Sequence, residues 1–350
     1  SYAKLENQEP LNCAIISLAS FLILMPSSIT TESGEVVTGI INKTWTAGQG
    51  MIGAIIVGLI VPLVYCWFLK KNIRIKMPAG VPEGVTNAFS ALIPAFVILT
   101  GTAVIHGICS IGFNTTGMEI IYKVVQTPLQ KMTDSLGGAV LMCFTGPFLW
   151  FFGVHGSTVV GGIMTGLLQA NSLANQANID SGVELTIANG DHIVTQQFYD
   201  QFINITGAGI TIGLVMYMFF FAKSKQLKAL GKLGIIPALF GINEPILFGA
   251  PVVMNPMLAI PFIGMPVIAC LIQYFALYTG ICPLYGATQI PWTCPPIISG
   301  FLLAGWKSAL LQLVILCVSF FVYLPFIKKV DKMNLVQEKN QPVEDEDEDW

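Results

Sequence analysis

Residues 241–256 read Gly-Ile-Asn-Glu-Pro-Ile-Leu-Phe-Gly-Ala-Pro-Val-Val-Met-Asn-Pro and set one carboxylate inside an otherwise apolar stretch. Glu244 is the only acidic residue between Asp200 and Asp331, and two amides, Asn243 and Asn255, flank it. Pro245, Pro251 and Pro256 remove backbone donors, while Gly241 and Gly249 permit positive φ, so this stretch is not one uninterrupted helix. At membrane depth, broken backbone is tolerated only where it is buried in protein or lines a cavity. An ionisable group placed there is a functional candidate by default. In a soluble protein the same stretch would be a surface loop with an ordinary exposed glutamate.

Two further stretches carry chemistry. Trp150-Phe-Phe-Gly-Val-His-Gly-Ser157 places His155 between glycines, and Ala287-Thr-Gln-Ile-Pro-Trp-Thr-Cys-Pro-Pro296 places Trp292 between prolines. Taken singly, His155 is equally a hydrogen-bonded packing residue, and Trp292 an interfacial anchor. Together they supply a carboxylate, an imidazole and two indoles, Trp150 and Trp292, each in broken backbone. Carboxylates, imidazoles and amides bond hydroxyls, and indole faces stack on the apolar faces of pyranose rings. That set suits a neutral sugar better than an ion. A cation site would want more acids, and an anion site would want arginine, of which the chain has only Arg74. Asn243, Gly156 and Gln196 join the binding candidates. Gln196 has amide donor and acceptor groups suited to hydroxyls, in a polar cluster, Asp191-His192 and Gln196-Gln197, ahead of the apolar run at 202–222.

These residues must be positioned by membrane helices. Apolar residues make up 54% of the 350 and charged ones only 11%. The mean hydropathy is +0.70. Soluble domains carry roughly a quarter charged residues. Uncharged runs recur, several of them longer than the roughly 18–20 residues that cross a hydrocarbon core. The fold class is all-α: a polytopic helical bundle with re-entrant hairpins. Lys70, Lys71, Arg74 and Lys76, then Lys223 to Lys232, then Lys328, Lys329 and Lys332 mark cytoplasmic ends. Parity then makes 46–69, 205–222 and 307–327 inward spans and 88–111 and 254–279 outward ones. The block 137–170 leaves and returns on one side as a hairpin or a pair of spans. Segment 233–253, with Glu244, is re-entrant from the inside, and Lys307 beside Trp306 snorkels at the outer interface. The opening residues lack the pattern of a cleavable signal. Eight scattered cysteines without CxxC spacing argue against a metal site or a disulfide framework, and they read as packing residues. No metal, cofactor or nucleic-acid partner is expected. Glu344–Asp349 reads as a solvated acidic tail.

At the 241–256 stretch, at Trp150–Gly156, at Ile193-Val-Thr-Gln-Gln-Phe-Tyr-Asp200 and at Ile290-Pro-Trp292, the sequence resembles the membrane-embedded IIC component of bacterial phosphotransferase-system sugar transporters. The resemblance is to the lactose/cellobiose/diacetylchitobiose branch and runs from Ser1 to about Lys329. It implies a disaccharide permease of the bacterial cell membrane with a cytoplasmic C-terminus. The partners implied are a separate IIB component, which donates phosphate from a phosphocysteine, and through it a IIA component. It implies that Glu244 holds the hydroxyl to be phosphorylated, that His155 contacts the same sugar and assists the proton transfer, and that Trp150 and Trp292 flank the rings. It also implies a homodimer formed through the N-terminal half. On this reading residues 1–115 are the remaining part of the N-terminal helical domain, with about a hundred family residues missing ahead of Ser1. Residues 116–330 are the sugar-binding domain and 331–350 a cytoplasmic tail. The competing readings are an ion- or proton-coupled secondary transporter using Glu244 and His155 as a relay, and a truncated remnant without transport.

Overall fold

The computed structural model describes residues 2–30, 35–78, 80–250 and 252–340. Pro251 and the acidic run Glu344–Asp349, expected to form a solvated tail, lie outside the described residues. The chain forms two compact units, Ser1–Lys131 and Met132–Trp350. Four helices among the described residues are long and apolar enough to cross a membrane: Gly48–Lys70, Glu83–Phe113, Pro256–Tyr278 and Trp306–Asn340. The all-α expectation holds.

In the first unit, helices Pro10–Leu24, Met51–Lys70 and Glu83–Phe113 pack on one another around Cys13, Ile16, Val57, Val61 and Tyr65. The first of them opens with Pro at its N-terminus, and the Glu9 carboxylate accepts from the backbone N–H of Leu11 and Asn12 at 2.7 and 2.9 Å. Both devices satisfy or remove orphan donors of a first turn. It stops before Pro26, and a small antiparallel hairpin follows, Ser28–Thr30 against Val36–Thr38.

The second unit carries every candidate site residue. Its opening hairpin is Leu136–Phe151 and Gly156–Asp180, two packed helices broken at 152–155, where the glycine-flanked His155 predicts a break. Around Glu244 the chain runs as helix Lys225–Leu239, a turn at Gly241 with φ 79°, and a six-residue helix Glu244–Gly249. Helix Pro256–Tyr278 packs against Leu136–Phe151 and against the last helix.

Two stretches differ from the reading of the sequence. The apolar run 205–222 is helical only over Ile212–Phe220, while positive φ at Gly207, Gly209 and Ile210 (87°, 81° and 50°) turns the part before it into a loop. Apolarity keeps such a run out of water but does not make it helical, and two closely spaced glycines carry the left-handed turns. The last helix also continues beyond Ile327 to Asn340. Asp331 is buried within it and accepts from the backbone N–H of Lys223 and Ser224 at 3.0 and 2.9 Å and from the Tyr217 hydroxyl at 3.1 Å. These bonds give a buried carboxylate the partners it requires.

Candidate functional site

Helix Lys225–Leu239 ends beside Pro237, and Gly241 reverses the chain so that Asn243 directly precedes the short helix, without a side-chain capping bond, and Glu244 begins it. The two neighbours then differ in exposure. Asn243 is buried, and its amide nitrogen donates to the Ala208 carbonyl at 2.7 Å and to Thr211 Oγ1 at 2.8 Å. Asn243 thereby holds the irregular 204–211 loop, whose Gly207 has room for no Cβ against that same amide, 2.9 Å from its nitrogen. Glu244 is exposed to the cavity described below, with no hydrogen-bond or ion-pair partner among the described residues. Asn243→Leu strands the buried Ala208 carbonyl without its donor. We expect it to cost about 1–3 kcal/mol, read as a lowered thermal midpoint of the purified protein.

His155 caps helix Gly156–Asp180. Its Nδ1 accepts from the Thr158 backbone N–H at 3.3 Å and lies 2.8 Å from Thr158 Oγ1. The Trp150 ring sits against the imidazole, with centroids 4.3 Å apart, and Trp150 Nε1 donates to Ser157 Oγ at 3.4 Å. Gly156 belongs to the packing of the hairpin. It is buried against Gly146 of the partner helix, and a Cβ there would lie 2.7 Å from the Gly146 carbonyl carbon.

The polar stretch ahead of the loop is anchored by Asp134, which accepts from the backbone N–H of Ile193 and Val194 at 2.9 and 2.7 Å and faces His192 Nδ1 at 3.1 Å. Asp191 and His192 lie here rather than at the cavity wall. Beyond the anchor, Gln196 starts a helical turn that widens into a π-turn at Tyr199–Ile203. Such widened turns recur at functional sites. Gln196 Nε2 donates to Asp200 Oδ2 at 2.9 Å.

The Trp292 segment is irregular and held by two buried glutamines. Gln201 donates to the Ile290 carbonyl at 2.9 Å. Gln312, on the last helix, accepts from the backbone N–H of Ile297 and Gly300 at 2.6 and 2.9 Å and donates to the Gln201 carbonyl at 2.8 Å. The Trp292 ring lies over Gly241, where a Cβ would sit 3.3 Å from the indole. Absence of a side chain at Gly241 therefore serves the turn and the tryptophan together.

These pieces enclose a cavity of about 700 Å³, inside the roughly 300–1,000 Å³ range of small-molecule sites. Glu244, His155, Trp150, Trp292, Asn243 and Gln196 all line it, and Gly156 does not. Asp200, Tyr199, Asn204 and Gln289 line it as well. Asp200 is not among the candidates read from the sequence, although it closes the family-like stretch Ile193–Asp200 and stands i, i+4 from Gln196, a spacing that joins side chains on one helical face. Among the described residues, no lysine or arginine lines the cavity. Two carboxylates, one unpaired, two indoles and several amides can bind a polyhydroxylated neutral molecule and accept a proton from it. Gln196→Ala removes the Asp200 partner. We expect disaccharide affinity to fall roughly two- to tenfold, the range for one hydrogen bond of about 0.5–1.5 kcal/mol, measured by calorimetric titration.

The helical membrane fold and a sugar-sized polar cavity walled by broken helices define a transporter. The family described as "Phosphotransferase system, EIIC" matches residues 3–266, and the chain belongs to that family, the membrane component of a sugar phosphotransferase system. It is 34% identical over 332 residues to the oligo-beta-mannoside-specific EIIC component of Bacillus subtilis (strain 168), covering 94% of this chain and 74% of that one. It is 36% identical over 349 residues to the cellobiose-specific EIIC component of Geobacillus stearothermophilus, covering 95% and 75%. The crystal structure of the transporter ChbC, the IIC component of the N,N'-diacetylchitobiose-specific phosphotransferase system, superposes with a TM-score of 0.91 at 34% identity, over 97% of this chain and 79% of that one. The secondary-transporter and remnant readings are not favoured by these likenesses.

Proposed function

We propose that the cavity binds a disaccharide of the cellobiose, diacetylchitobiose and lactose class and presents one hydroxyl for phosphorylation. The observation that carries this reading is the unpaired Glu244 carboxylate in a cavity flanked by Trp150 and Trp292. The named sugars of the relatives and of ChbC support the substrate class. In the reaction, a IIB component supplies a phosphocysteine. The sugar oxygen bonds to phosphorus as the phosphorus–sulfur bond breaks, the electron pair leaves on the IIB thiolate, and Glu244 receives the hydroxyl proton. Such transfers depend on positioning and charge management rather than covalent protein chemistry. The lysine clusters support a cytoplasmic C-terminus, the side from which IIB would act, and the first unit is read as the dimerisation half. A monomeric mass in detergent would refute the dimer. The function is tested by reconstituting the protein in liposomes with IIA and IIB. Phosphorylated disaccharide should appear only when IIB is present. Accumulation of unmodified sugar driven by a proton or sodium gradient would overturn the assignment.

A further inference from the structure

His155 and Glu244 both line the cavity, and either side chain could take the hydroxyl proton. Their surroundings differ. Glu244 has no protein partner among the described residues, whereas His155 is tied down through one ring nitrogen. Nδ1 of His155 lies 3.3 Å from the backbone nitrogen of Thr158 and 2.8 Å from its hydroxyl. A backbone N–H can only donate, so the ring nitrogen facing it carries a lone pair. A neutral imidazole with a lone pair on Nδ1 has its proton on Nε2. The Thr158 N–H is also one of the orphan donors in the first turn of Gly156–Asp180. A ring with hydrogen on Nδ1 would remove the helix cap and set N–H against N–H. Trp150, with its ring centroid 4.3 Å from the imidazole, packs on the same ring and opposes its reorientation.

We propose that Thr158, which does not itself line the cavity, is a positioning residue that holds His155 as the Nε2–H tautomer, a hydrogen-bond donor to the sugar, so that Glu244 and not the imidazole accepts the hydroxyl proton. During phosphoryl transfer the imidazole keeps its Nε2 proton. The hydroxyl proton goes to a Glu244 oxygen as the sugar–phosphate bond forms and the thiolate departs. The sugar part of this proposal rests on the function given above. The tautomer does not.

The tautomer is read by ¹⁵N NMR of histidine-labelled protein in lipid without sugar. The chain has three histidines, and the signals that vanish in His155→Gln identify the one concerned. Nδ1 should appear unprotonated and Nε2 protonated, and the opposite pattern overturns the proposal without recourse to any variant's fold. Glutamine places an amide N–H near the Nε2 position but is no base. His155→Gln should therefore lose much less phosphorylation of bound disaccharide than Glu244→Gln does, while His155→Ala loses affinity. A loss of turnover in His155→Gln as deep as that in Glu244→Gln would make the imidazole the base and sink the idea. Thr158→Val should weaken disaccharide binding roughly two- to tenfold, the loss expected of one hydrogen bond, and Thr158→Ser should restore it. Wild-type affinity in Thr158→Val would overturn the part of the proposal that uses the Thr158 hydroxyl, since valine keeps the backbone N–H. If His155→Ala and Glu244→Gln both bind disaccharide like wild type, the sugar site lies elsewhere. The tautomer is then judged by the spectrum alone.

Discussion

Glu244→Gln should bind disaccharide about ten- to hundredfold more weakly than wild type, the loss of one charge-assisted hydrogen bond worth roughly 1.5–3 kcal/mol. Glutamine keeps the size and one acceptor of the side chain, so the exchange isolates the charge. The fold should tolerate it, because the carboxylate has no partner to lose among the described residues. Phosphorylation should fall further than binding, since the proton acceptor disappears together with the anchoring contact. The measurement pairs calorimetric affinity with IIB-dependent phosphorylation on protein of verified thermal stability. A structural glutamate would show the reverse pattern, lower stability with affinity intact in whatever folds. Wild-type affinity and turnover in well-folded Glu244→Gln would end the assignment.

Gly156→Ala should act through stability. The added methyl would meet the Gly146 backbone, its carbonyl carbon 2.7 Å away, where no side-chain rotamer can yield. Helices Leu136–Phe151 and Gly156–Asp180 would have to separate. Overpacking of this kind costs about 1–3 kcal/mol, and backbone-to-backbone contact puts it at the upper end. A clear fall in thermal midpoint is expected, with weaker sugar binding following because His155 immediately precedes the displaced turn. If Gly156→Ala retains wild-type stability and loses only affinity, Gly156 is a direct sugar contact and its packing role is wrong.

Much of the molecule was legible from local features. Hydropathy over windows of some 20 residues located the long helices, because removal from water is a property of each segment alone. Glycines and prolines marked the breaks at 152–155 and around Glu244, because their φ limits are intrinsic to the residue. The resemblance of those broken stretches to the IIC family then named the carboxylate, the imidazole and the indoles that share the cavity. What local features could not carry was the choice of partner through space. Asn243 and Glu244 are adjacent amide and acid, yet one turns inward to hold Ala208 and Thr211 while the other is exposed. Gly156 reads as part of a histidine motif until Gly146 is found against it. Run 205–222 reads as a span, but Asn243, Ser319 and Tyr323, from elsewhere in the chain, bond the loop at its start, the last two through the Ile210 and Gly209 carbonyls at 2.6 and 2.7 Å. Gln312 secures the Trp292 segment through a residue 111 positions away. A hydrogen bond is decided by distance and direction in the folded chain, whereas hydropathy and backbone preference are decided residue by residue. For that reason several residues that line the cavity could be named in advance, and the polar scaffold that aims them belonged to the tertiary structure.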